Sequence, residues 1–230
     1  MFVAENVDGI RNSLKDKEVQ NFVTSTLYTI LKDIYKHGYN LQYHVLLAAD
    51  YGVPQMRRRI IIMGIRKDLG NINDEYYPLQ TYDVDGTKTG RKWLTAKDAI
   101  DDLWDKVNKT TIPNQTSRDI SKAKFYPGKK MQGNNRISAD KPGPTIRAEH
   151  HGNIEAHYRT TLPDINDMRG WRRLSVRECA RIQSFPDTYN FTASASSAYK
   201  AIGNAVPPVL GWNIARSIYY TLSQLESQKK

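Results

Sequence analysis

Two apolar runs with a turn between them set the first constraint on this chain. Leu41 to Ala48 and Ile60 to Ile65 are rich in Val, Ile, Leu and Tyr, and they bracket a stretch holding Gly52 and Pro54. Branched and aromatic residues punctuated by turn formers predict two neighbouring strands. Phe2-Val3-Ala4 predicts a further short, buried strand ending at Glu5. Beyond it, Val19, Phe22, Val23, Leu27, Ile30, Leu31 and Ile34 recur at helical spacing until Gly38 stops them. Segment 1–70 therefore reads as α/β sheet material.

From Asn71 to Met168 Gly, Pro, Asn, Asp and Lys become frequent, and the segment predicts short strands and long loops. One helix is expected there, where Thr95-x-x-Asp98 has the form of a capping box ahead of Ala99, Ile100, Leu103 and Trp104. Segment 169–230 returns to helical order. Ser175-x-x-Glu178 opens one helix, and Pro207 is placed to start a last one through Leu210, Ile214, Ile218, Leu222 and Leu225.

The formal net charge of +10 over 230 residues points to a polyanionic partner, because excess like charge opposes compaction. Basic residues do not line one face of an amphipathic helix beside an apolar anchor, so nucleic acid ranks above a membrane surface. The single cysteine, Cys179, excludes an internal disulfide and a Cys-based zinc site. Without a long apolar run or a signal-like start, a cytoplasmic location is expected.

Four islands carry chemistry: Glu5-Asn6-Val7, Gln55-Met56-Arg57-Arg58-Arg59, Arg173 to Asp187, and Gly203-Asn204-Ala205-Val206-Pro207-Pro208. A strand-terminal Glu can share a proton with a pyrimidine N3, and an Arg, always charged at neutral pH, can donate to its O2. Singly, each island has a bland reading: a solvated acid, a charged strand face, a capped helix, a helix entry. Their order and spacing together resemble motifs six, eight, nine and ten of the DNA cytosine-5 methyltransferases.

That resemblance implies an α/β fold, namely the C-terminal portion of a Rossmann-like methyltransferase domain (1–70 and 169–230) plus a smaller, mostly β/loop target recognition domain (71–168). It implies that Glu5 is the carboxyl at cytosine N3, that Arg59 is the arginine at the pyrimidine oxygen, and that Arg57 supports them at the catalytic site. Arg58 falls on the alternate strand face and reads as solvated. Asn204, Ala205 and Val206 are the implied contacts to S-adenosyl-L-methionine. The family's Pro-Cys nucleophile is absent, since Cys179 follows Glu178 inside a predicted helix. No Gly-x-Gly occurs among the fourteen glycines, so the cofactor loop is absent as well. The expectation is a split or truncated enzyme, inactive without an N-terminal methyltransferase subunit carrying motifs one to five. The alternative is a DNA-binding remnant or regulatory module without catalysis. A transfer-RNA methyltransferase of the same fold ranks lower, because the recognition interval is long and basic.

Within that interval the basic and aromatic stretch around Lys122, Lys124, Phe125, Tyr126, Lys129, Lys130 and Arg136 is suited to double-stranded DNA. Lys and Arg neutralise phosphates, while Gln132, Asn134, Asn135 and Arg136 have the paired donors that read base edges. Thr145 and Arg147, in a Pro-Gly-Pro-Thr-Ile-Arg stretch, are expected on one strand face turned to DNA. His150, His151 and His157 lack companion cysteines and helical spacing, so local hydrogen bonds are expected of them rather than a metal.

Overall fold

The computed structural model describes residues 1–11, 25–127, 133–148 and 156–227. The chain forms two compact units, one of Met1–Leu47, Arg58–Leu79 and Trp212–Lys230, the other of Ala48–Arg57 and Gln80–Gly211.

In the first unit three strands, β1 (Phe2–Val7), β2 (Tyr39–Leu47) and β3 (Arg58–Arg66), form an antiparallel sheet in the order β1-β3-β2. The two predicted neighbours pair over their whole length, with Val45 opposite Ile60 and Leu41 opposite Gly64. Helix α1 (Thr26–Lys36), capped by the Ser25 hydroxyl on the Tyr28 N–H, covers one face. There Leu27 packs on Ile60 and Ile62, with Phe2, Leu31, Leu41, Tyr43 and Val45 around them. Val19, Phe22 and Val23, the first turns of the predicted helix, lie outside the described residues.

The expectation of a buried first strand is corrected. β1 pairs only with β3, and Val3 and Val7 are 45% and 51% exposed. Its apolar letters fit a strand, but periodicity alone does not distinguish an edge from a centre. Phe2 is the exception: its ring covers the bare backbone of Gly64 on β3, where a Cβ would overlap it.

The second unit has helices α2 (Ala96–Ile100), α3 (Val176–Ile182) and α4 (Ala195–Asn204). Both predicted capping boxes form, at Thr95 with Asp98 and at Ser175 with Glu178. Their buried faces meet in one core of Ile100, Trp104, Leu174, Val176, Cys179, Ile182, Tyr199 and Ile202. The short strands expected between 71 and 168 do not form among the described residues, which show only isolated bridges such as Asp83 with Lys92 and Arg136 with His157. Polar side chains instead fold the loops by taking backbone partners. The Asp83 carboxylate alone accepts N–H bonds from Asp85, Gly86, Lys88 and Thr89.

The last helix, α5 (Pro208–Ser227), begins one residue later than Pro207 suggested. Gly203 and Asn204 lie in the final turn of α4 rather than in a loop. None of the described helices is long and apolar enough to cross a membrane.

Candidate functional site

Glu5 and Arg59 meet at one end of the three-stranded sheet. β1 runs antiparallel to β3, so Glu5 near the end of one strand and Arg59 near the start of the other are diagonal neighbours. Glu5 Oε1 lies 2.7 Å from Arg59 Nε, with the side chains 24% and 11% exposed. Arg59 Nη1 donates to the Arg58 carbonyl at 2.7 Å. Burial pushes the guanidinium pKa down and the carboxylate of Glu5 opposes it, so the arginine keeps its charge at neutral pH. The contact sets a carboxylate acceptor beside a guanidinium donor. Arg58 is exposed, as its strand position implies.

Arg57 does different work, within the second unit. It is fully buried, and its guanidinium donates to the carbonyls of Ile146 (2.9 Å), Gly203 (2.8 Å) and Ala205 (3.1 Å). Gln55 completes the junction, donating to the Ile182 carbonyl and to Gln183 Oε1 while accepting the Ile146 N–H. Gln183 passes the link on to the Ala205 carbonyl at 2.6 Å. Gly203 permits this closeness, because a Cβ there would overlap the backbone of Arg147 and Ala148. The glycine is needed for an approach between segments.

Of the residues assigned to the cofactor, Asn204 is exposed, Val206 is half-buried, and Ala205 uses its carbonyl on Arg57 and Gln183. An amide and an apolar side chain at a helix end fit one wall of a nucleoside and amino-acid pocket. No Gly-x-Gly loop occurs in the sequence to accompany them.

The assigned DNA contacts divide. Lys122, Lys124, Asn135, Arg136 and Arg147 are exposed, whereas Lys129, Lys130 and Gln132 lie outside the described residues. Two assignments meet prior commitments. The Asn134 side chain accepts the Tyr126 N–H at 3.1 Å and returns a bond to its carbonyl at 2.6 Å, imitating a strand ladder. Thr145 does not sit on a strand, and its hydroxyl donates to the Met56 carbonyl at 2.6 Å. These short polar side chains hold loop to loop, and the expectation of a strand face at Thr145 and Arg147 is corrected.

His150 and His151 lie outside the described residues, but His157 is buried in an aromatic cage. Its ring stacks on Trp171 at 4.8 Å and meets Trp104 edge-on, and its Nδ1 accepts the Arg172 N–H at 3.1 Å. Nε2 has no hydrogen-bond partner among the described residues. Desolvation, helped by the cations of Arg172 and Arg136, pushes its pKa from 6.5 down to about 4. The unfolded state therefore binds the proton more readily. The contribution of neutral His157 is whole above pH 6.5 and is lost as pH falls toward 4. Its loss costs about 3 kcal/mol. Urea denaturation at pH 7 and pH 4 should show this loss in the parent and much less in a His157→Gln variant.

Residues 1–220 match the model of the C-5 cytosine-specific DNA methylases. The chain belongs to that family. It is 34% identical to the type II methyltransferase M.FnuDI of Fusobacterium nucleatum, over 100% of this chain and 67% of that protein. Identity to M.BsuRI of Bacillus subtilis is 35%, over 99% of this chain and 51% of the relative. The chain thus spans about half to two thirds of the length of these relatives. The crystal structure of S. pombe Dnmt2 shares its fold with a TM-score of 0.58 at 15% identity, covering 96% of this chain and 66% of the other.

Proposed function

We propose that this chain is the C-terminal portion of a DNA cytosine-5 methyltransferase of a restriction and modification system. In this reading it supplies target recognition through segment 71–168, half of the cytosine pocket, and one wall of the S-adenosyl-L-methionine site at Asn204, Ala205 and Val206. The Glu5–Arg59 pair carries the reading. Carbon 5 of cytosine is a weak nucleophile until a thiolate adds at carbon 6, and that addition drives electron density onto N3 and O2. Glu5 shares a proton with N3 and accepts from the exocyclic amine, while Arg59 donates to O2. The duplex must first extrude the base, because a stacked cytosine does not present carbon 6. Bound S-adenosyl-L-methionine supplies the methyl group.

The Pro-Cys nucleophile and the glycine-rich cofactor loop come from a portion of the enzyme outside this sequence, on the same or a separate polypeptide. The purified chain accordingly transfers no methyl group until it is combined with a chain that has those motifs. Incorporation of radiolabelled methyl into duplex DNA by the chain alone would overturn this. In the combined enzyme, Glu5→Gln lowers turnover by roughly 100-fold or more, the scale of a lost acid-base group. Duplex affinity then stays within about threefold, below about 1 kcal/mol. Equal losses in both quantities would make Glu5 a binding residue only.

A further inference from the structure

A cleft in the second unit has a wall that no sequence motif indicated. It lies between the extended segment 120–125 and residues 168–173, encloses about 400 Å³, and is lined by Lys122, Lys124, Phe125, Met168 and Trp171 among others. That volume is in the range of about 300–1,000 Å³ typical of ligand clefts. Among the described residues no carboxylate lines it.

The floor is prebuilt. Arg173 stands over the Phe125 ring at 3.7 Å and donates to the carbonyls of Ala123 (3.2 Å), Lys124 (2.8 Å) and Gly133, which fixes the lysine-bearing segment. Trp171 is held by the His157 stack and by its indole N–H on the Ile165 carbonyl at 3.1 Å. Arg172 is held by the Glu178 carboxylate at 2.7 Å. The exposed Lys122 and Lys124 alternate with half-buried neighbours, so two flexible cations stand above a rigid floor of ring edges and a thioether.

Alternating cation and apolar surface suits an alternating ligand. We propose that this cleft is a subsite for the sugar-phosphate backbone of a DNA strand, with phosphates on Lys122 and Lys124 and the intervening deoxyribose against Phe125, Met168 and Trp171. The inference rests on the reading of the chain as a DNA-binding part of a methyltransferase. It adds residues 168–171 to the surface that meets the duplex. A phosphate-only patch would not need the rings, and an uncharged ligand would not need the lysines.

The test uses the full chain and a fluorescently labelled duplex, with anisotropy followed across salt concentrations. Lys122→Glu with Lys124→Glu should weaken binding at least tenfold and flatten the slope of log affinity on log salt by about 1.8, or about 0.9 per phosphate lost. The same charge change on α1, Lys32→Glu with Lys36→Glu, is the control, and thermal melts check that every variant folds. In parallel, DNA should alter a tryptophan emission component that is missing in Trp171→Phe, a substitution that keeps an aromatic ring in the wall. If the duplex binds but the cleft pair falls no further than the control, or Trp171 is silent, the subsite is refuted while the DNA reading stands. If the parent binds no duplex even at low salt, the DNA reading falls and takes the subsite with it.

Discussion

Replacing Arg57 by alanine is expected to destabilise the second unit by about 3–5 kcal/mol. The guanidinium is 1% exposed and is a donor to three carbonyls drawn from two distant stretches, at Ile146 and at Gly203 and Ala205. Ala205 keeps a bond from Gln183, but the other two carbonyls would lose this partner, at about 1–3 kcal/mol for each buried group left unsatisfied. Arg57→Lys should recover only part of the loss, since an ammonium lacks the planar fork that reaches divergent acceptors. Urea denaturation reads the difference as a shifted midpoint at constant slope. A cost below about 1 kcal/mol would mean that water enters and replaces the donor.

Glu178→Ala should be comparably severe, again about 3–5 kcal/mol. The carboxylate is fully buried, and each of its oxygens accepts two bonds. Oε1 takes Arg172 Nη2 at 2.7 Å and Gln115 Nε2 at 2.9 Å, and Oε2 takes Arg172 Nη1 at 2.8 Å and the Ser175 N–H at 2.8 Å. Removing it takes away the side-chain half of the α3 capping box, the bond from the Ser175 N–H, and leaves the Arg172 charge against the Trp104 ring, 3.4 Å from its centroid, with no counterion. Gln115, whose amide also holds the Leu103 carbonyl and whose oxygen accepts the Ser175 hydroxyl, is disturbed in turn. Glu178→Gln separates charge from shape. It can still accept from two donors, so a loss near that of alanine would assign the stability to the ion pair.

The parts of this architecture that were legible are those written in short-range code. Thr95 with Asp98 and Ser175 with Glu178 are three residues apart, and each box formed as read. The strand pair β2 and β3 was legible because both members carry dense branched residues around a Gly-Pro turn. Glu5 and Arg59 were singled out through the family resemblance, and the antiparallel register of β1 and β3 is what brings them into contact. The edge position of β1 was hidden, since a strand's neighbours are set by the sheet and not by its own letters. The short strands expected among the long loops of 71–168 gave way to isolated bridges for a related reason: Asp83, Asn134 and Arg173 fold these loops through side-chain bonds to backbone groups 2 to 50 residues away. Arg57 and Arg59 have the same identity two positions apart, yet one fixes backbone and the other faces a carboxylate. Nothing in the triplet itself separates these fates.

Cys179 sits on the buried side of α3 with no exposure and is the chain's single thiol. An alkylating reagent reaches it only when that core opens. Its rate of modification under native conditions therefore serves as a built-in gauge of how often the second unit breathes, with no label added. The same silence means that a cysteine introduced on the surface would react alone, giving a clean attachment point for a probe while the native thiol stays out of reach.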